Sequence, residues 1–170
     1  NRTEWVSFIG RKDYLLENKR YVVVYTLSGS HYIYTLAKKI ARKLDAEVIN
    51  IKLGFSKVDG DDGIIHICDA GPQEFISIFN SAVYVITDSF HGTAFSINFN
   101  IPFTTLLNPA SNINSRALSI LKQTGMEERL IYDDGSNKEP SSLAVDFEPV
   151  NKVIEASRTA SLEFLRENLA

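Results

Sequence analysis

The sequence is poor in the residues that cross-link or stiffen a chain: one cysteine, one tryptophan, one methionine and five prolines in 170 residues. With Cys68 as the single thiol there is no intramolecular disulfide and no thiolate cluster for zinc or iron–sulfur chemistry. A reducing, cytoplasmic setting is the expectation that follows. No apolar run approaches the ~20 residues that span a bilayer, and the first residues lack the apolar core of a signal peptide. A large charge of one sign is also missing: 18 Lys and Arg face 21 Asp and Glu, a net charge of −3. That balance gives no bulk attraction for nucleic acid or an anionic membrane, so an anionic ligand must be held by local groups. No Walker or dinucleotide glycine fingerprint, nucleophile elbow or metal-ligand spacing occurs. Neither a metal nor a cofactor is expected.

What is present is the composition of one ordinary folded domain, 44% hydrophobic and 23% charged. Buried-looking strands alternate with helical spacing. Tyr21 to Leu27 (YVVVYTL) is a β-branched and aromatic run suited to a strand covered on both faces. Ser28-Gly29-Ser30 follows, and then Ile33, Leu36, Ala37, Ile40, Ala41 and Leu44 recur at the period of a helix. Further strands are predicted at Glu47 to Ile51, Ile64 to Ile67, Ala82 to Thr87, the PFTTLL segment and RLIYD. Helices are predicted from Pro72, across the turn after Thr87 through Asn98, from Ser115 to the C-cap Gly125, and from Pro149 to Leu169. Gly54 to Gly63 reads as a surface loop. The expected class is α/β, a Rossmann-like doubly wound parallel sheet with helices on both faces. Residues 1–20 read as a lead-in, 21–148 as the main domain and 149–170 as a C-terminal helix that packs on this domain or on a missing half. The start at Asn1 rather than Met reads as a piece of a longer chain.

In a parallel sheet three turns fall at the carboxyl edge, where ligands bind and helix N-termini present free N–H groups: Ser28-Gly29-Ser30, Asp88 to Gly92, and Asn108 to Arg116. Such an edge suits a phosphate or a carboxylate. His91 is the candidate for proton transfer, because imidazole is the side chain whose ordinary pKa lies closest to neutrality. The plainer alternative makes Asp88 or Ser89 an N-cap and His91 a first-turn residue. Arg116 could clamp an anion bidentately, or be a solvated first-turn residue. His31 and Ser30 are read as capping residues, His66 as structural and Glu74 as a residue favoured by the helix dipole.

The segment GPQEFISIFNSAVYVITDSFHGTAFSINFNIPF resembles the signature of the polysaccharide pyruvyl transferase family, with TDSFHG its most specific part. NSRALSILKQTGMEERL is similar to the segment that follows it in that family, and YVVVYTL with its helix resembles the opening of the family's C-terminal half. The likeness runs over roughly residues 20–132. It implies one Rossmann-like half, the C-terminal domain of a two-domain B-type glycosyltransferase fold, with the acceptor-binding N-terminal half outside this sequence. It also implies a ketal-forming transfer of pyruvate from phosphoenolpyruvate to two hydroxyls of a surface-polysaccharide precursor, in an enzyme whose isolated domain is inactive alone. By position His91 and Asp88 would be catalytic. Ser89, Gly92, Thr93, Arg116, Ser28, Gly29 and Ser30 would bind the donor. Family members often carry arginine two residues before the motif histidine, and here that position is Ser89; the resemblance then assigns the carboxylate grip to Arg116 or to the missing half. The acceptor would be a saccharide, and a lipid-linked acceptor would bring the enzyme to a membrane. The competing readings are a nucleotide-sugar glycosyltransferase domain and a non-catalytic binding module, since one scaffold hosts many chemistries.

Overall fold

The computed structural model describes residues 19–52, 62–110 and 115–169. The lead-in before Lys19, most of the Gly54 to Gly63 loop and part of the Asn108 to Arg116 loop lie outside the described residues. Six strands form one parallel sheet: β1 (Tyr21–Tyr25), β2 (Glu47–Ile51), β3 (Ile65–Ile67), β4 (Tyr84–Thr87), β5 (Phe103–Leu107) and β6 (Leu130–Tyr132). Their order is β3-β2-β1-β4-β5-β6, with every neighbouring pair parallel. This is the doubly wound order, and the chain reverses its direction of travel across the sheet between β1 and β4.

The alternation along β1 shows why it sits centrally. Val22 and Val24 point into one apolar layer with Ile33, Leu36, Ala37 and Ile40 of α1 (His31–Leu44). Tyr21, Val23 and Tyr25 point into the other, with residues of α2 (Pro72–Asn80), α3 (Phe90–Phe99), α4 (Ser115–Thr124) and α5 (Glu148–Leu169). All five β1 residues are buried, as a parallel strand covered on both faces requires. The first turn of α5 joins this second layer through Val150, whereas Phe164 and Leu169 further along it are exposed.

Local chemistry sets the ends of these elements. Ser30 caps α1, its side chain accepting from the Tyr32 N–H. Pro72 opens α2 after Gly71, and Gly125, at φ +68°, follows the last residue of α4. The first strand stops at Tyr25 rather than at Leu27, because Thr26 and Leu27 turn to bond a carboxylate at the end of β4. The segment between β6 and α5 folds back over α1. Glu139 meets Lys39 and Lys43 at 3.0 and 2.8 Å, and buried Arg129 donates to Ser142 O at 2.9 Å.

Candidate functional site

The switch point between β1 and β4 carries two strand-to-helix turns side by side, and they are furnished differently. In the turn after β4, Thr87 is buried and its hydroxyl donates to Tyr25 O at 2.6 Å while accepting the Ser89 N–H at 3.0 Å. That bond pair locks β4 to β1 and swings the chain into α3. Gly92 packs directly on Thr87: a Cβ there would lie 2.2 Å from Thr87 Oγ1. Only glycine lets the first turn of α3 approach the sheet so closely. Thr93 is turned inward, its N–H and hydroxyl both bonded to Ser89 O and its Oγ1 2.9 Å from Thr105 Oγ1.

Ser89 stands at the N-cap of α3 without capping it. The residue is 1% exposed, and its Oγ has no hydrogen-bond partner among the described residues. The helix therefore begins with first-turn N–H groups that no side chain satisfies. Outside this end lies a cavity of about 280 Å³ lined by Ser28, Asp88, Ser89, Phe90, His91 and Arg116 with Leu27, Leu107, Asn108 and Ala117. His91 is exposed at its rim, its ring edge-on to Phe90 at 5.5 Å. The Arg116 guanidinium lies over the Phe90 ring at 5.1 Å, within the range of a cation–π contact. An open helix N-terminus, a guanidinium and an imidazole thus face one small space, which can hold an anion and move a proton.

The turn after β1 is already occupied. Both oxygens of the Asp88 carboxylate are engaged there: Oδ1 accepts from Leu27 N at 2.7 Å, and Oδ2 accepts from Ser28 N at 2.9 Å, Thr26 Oγ1 at 2.7 Å and Ser28 Oγ at 2.5 Å. Gly29 N donates to Thr26 Oγ1 at 3.0 Å, and Ser30 Oγ donates to Asp133 Oδ2. Burial first, and then the nearby Asp88 charge, push the Tyr25 phenol above its usual range. Of the residues singled out in the sequence, Asp88, Ser89, His91, Arg116 and Ser28 share the cavity. Gly92 and Thr93 are buried and, like Gly29 and Ser30, outside its lining.

Phe90 and Thr26 escape a sequence reading. Phe90 sits inside the DSFHG turn but gains its role from Arg116, 26 positions later, and Thr26 from Asp88, 62 positions later. His66 lies away from this cavity, its Nδ1 3.1 Å from the Asn50 amide and its Nε2 3.3 Å from Asp62. No group of three His, Cys, Asp or Glu residues among the described ones could hold a metal, and no described helix is long and apolar enough to cross a membrane.

The fold is similar to that of the glycosyltransferase SnogD from Streptomyces nogalater, at 14% identity and a TM-score of 0.52 over 88% of this chain and 41% of that one. It is also similar to a structure of S. aureus MnaA with UDP, at 11% identity and a TM-score of 0.50 over 89% of this chain and 48% of that one. The UDP-GlcNAc 2-epimerase from Methanocaldococcus jannaschii aligns at 15% identity and a TM-score of 0.47 over 91% of this chain and 41% of that one. The chain spans less than half the length of each of these three proteins. Its architecture is that of a Rossmann-like domain of the B-type glycosyltransferase fold. No curated protein matches the sequence. The family model for polysaccharide pyruvyl transferase matches residues 2–109, a stretch that holds both turns of the switch point and the whole DSFHG motif but stops short of Arg116; the chain belongs to that family.

Proposed function

We propose that this chain is the donor-binding, C-terminal half of an enzyme that moves pyruvate from phosphoenolpyruvate onto two hydroxyls of a saccharide as a ketal, with release of phosphate. The observation that carries this reading is the cavity at the open N-terminus of α3, which His91, Arg116 and Ser89 line together. The donor's phosphate fits the first-turn N–H groups, and its carboxylate fits the guanidinium of Arg116, which replaces an arginine expected at position 89.

Each residue has a defined task in this reaction. His91, as imidazolium, gives its proton to the methylene carbon of the enol while a sugar hydroxyl adds to the adjacent carbon. The phosphate then leaves, and the second hydroxyl closes the ketal; of the two protons that the hydroxyls surrender, one returns to His91 and the other departs with the phosphate. The helix end and Arg116 offset the charge that collects on the departing phosphate and the retained carboxylate. Asp88 does not reach the reacting atoms in this scheme: it holds the turn after β1 against the cavity wall.

The acceptor and the remainder of the cleft come from a second domain of the same protein. The test is turnover of the full-length enzyme with phosphoenolpyruvate and a saccharide acceptor, followed by phosphate release. His91→Ala is expected to lower kcat by ~10²–10⁴-fold, the range for loss of a general acid, with an unchanged circular dichroism spectrum. Wild-type turnover in that variant would remove His91 from the mechanism and the reading with it.

A further inference from the structure

Among the described residues seven large hydrophobics are exposed; five lie on α5, and one of the other two, Leu27, lines the cavity at α3. Leu27 is 60% exposed. It is the bulky residue of a turn otherwise made of small ones, Thr26-Leu27-Ser28-Gly29-Ser30. Its backbone is nonetheless fixed. Leu27 N donates to Asp88 Oδ1 at 2.7 Å, and on either side Thr26 Oγ1 and Ser28 N donate to Asp88 Oδ2 at 2.7 and 2.9 Å. The other apolar residues of the lining are covered: Leu107 and Ala117 are buried, and Phe90 lies under the Arg116 guanidinium. A leucine thus stands in water at the rim of the cavity, on a turn that three hydrogen bonds to one carboxylate hold in place. Its apolar surface gains free energy only when something covers it.

We infer that Leu27 is a specificity-determining residue: it packs against the incoming saccharide and keeps water from the carbon that the sugar hydroxyl attacks. The inference rests on the pyruvyl-donor reading above. When His91 protonates the methylene, any oxygen nucleophile within reach can add to the adjacent carbon, and water is smaller and far more concentrated than a sugar hydroxyl. If water adds, its oxygen bonds to that carbon and the bond from the carbon to the phosphate oxygen breaks. One proton of the water passes to His91 and the other departs with the phosphate. The product is free pyruvate, and the donor is wasted. A polar side chain at the rim would anchor such a water, whereas leucine offers it no hydrogen bond. A sugar ring carries C–H groups on its faces and hydroxyls around its edge, so its face can rest on a leucine while its hydroxyls reach the donor. Covering Leu27 in this way stabilises the bound saccharide by a contact that water cannot make. The bonds that tie the turn to Asp88 fix where that contact stands.

The test uses the full-length enzyme with phosphoenolpyruvate and a panel of p-nitrophenyl hexosides as acceptors. Phosphate, free pyruvate and ketal are measured in the same reaction for the wild type, Leu27→Ser, Leu27→Ala and Leu27→Met. The wild type is expected to release phosphate and form ketal in equal amounts. Leu27→Ser should release several-fold more phosphate than it forms ketal, with free pyruvate making up the difference. Its KM for the acceptor should rise by about five- to twentyfold, the share of binding that a leucine of this exposure carries. Leu27→Ala should fall between the two, and Leu27→Met, which keeps the bulk, should return the wild-type ratio. With no acceptor present, Leu27→Ser should hydrolyse phosphoenolpyruvate several-fold faster than the wild type. A merely structural role would lower all products together and leave their ratio unchanged; that result in a folded Leu27→Ser enzyme overturns the inference, as does equal hydrolysis without acceptor. If the serine variant does not fold, the alanine and methionine variants decide. Failure of the underlying reading looks different: a wild type that neither binds nor consumes phosphoenolpyruvate removes the pyruvyl donor and this role with it. Ketal formation at one ratio across the whole series leaves the donor standing and removes Leu27 alone.

Discussion

At the scale of single residues, the site depends on two close approaches. Arg116 reaches the cavity from the first turn of α4 and rests on the face of Phe90. A cation–π contact at a partly exposed site contributes about 0.5–1 kcal/mol, which corresponds to about a two- to fivefold change in an equilibrium constant. On the proposed pyruvyl-donor reading, Phe90→Leu should therefore weaken phosphoenolpyruvate binding by about two- to fivefold through a loosened guanidinium, and Arg116→Ala should weaken it further; calorimetry on both variants checks the order. If Phe90→Leu costs as much as Arg116→Ala, the ring has a role of its own and is not merely a rest for the arginine. The second approach is Gly92 on Thr87. A methyl group at Gly92 would overlap the Thr87 hydroxyl and lie 2.8 Å from its Cβ, and that hydroxyl is already committed to Tyr25 O and Ser89 N. Neither partner can yield cheaply. Gly92→Ala is expected to destabilise the fold by about 1–3 kcal/mol, the usual cost of overpacking, or more. A urea midpoint equal to that of the wild type would show that α3 can lift off the sheet freely.

At the scale of elements, the sequence carried most of the helices and strands because each has its own periodicity and its own stop. β2 runs from Glu47 to Ile51 as its β-branched pattern predicts, and Gly125 ends α4. The stop of α3 is less conspicuous: Asn100 takes the left-handed conformation, φ 57°, and its N–H closes back on Ser96 O and Ile97 O. For an ordinary side chain that conformation costs about 1–2 kcal/mol, while asparagine tolerates it and glycine is indifferent. Asn100→Ala should lower stability by about 1 kcal/mol and Asn100→Gly by much less, measured as the difference in urea midpoints. Illegible in the sequence were the contacts between elements. Asp88 stands in a motif that reads as a cap or a catalytic residue, and its carboxylate accepts from donors about sixty positions earlier. The clasp of Glu139 on Lys39 and Lys43 joins residues about a hundred positions apart, which no local pattern encodes. The DSFHG turn was readable as a candidate site because strand, small polar residues and helix are contiguous there; what its neighbours would do was not.

At the scale of the whole molecule, the sheet is assembled around tyrosines whose hydroxyls reach polar partners inside the two apolar layers. Tyr21, 2% exposed, donates to Ile78 O at 3.0 Å, and fully buried Tyr84 lies 2.8 Å from Thr104 Oγ1. Burial disfavours the phenolate, so Tyr21 is pushed from 10.0 up to about 12, and Tyr25, Tyr32, Tyr34 and Tyr84 are raised as well, with burial the leading cause in each. Because the folded protein holds these protons more tightly than the unfolded chain, unfolding releases protons at high pH. The stability they protect is fully present below about pH 10 and is lost as the pH rises from there through about 12. At 1.36 kcal/mol per pKa unit, Tyr21 alone accounts for a loss on the order of 2–3 kcal/mol by the top of that window. The urea midpoint should thus fall steeply between pH 10 and pH 12, and Tyr21→Phe should start lower, having left Ile78 O without its donor, but fall less steeply. Parallel slopes for the two proteins would mean that the alkaline transition arises elsewhere than in this buried phenol, and the same pair of curves measured for Tyr84→Phe would then test the opposite face of the sheet.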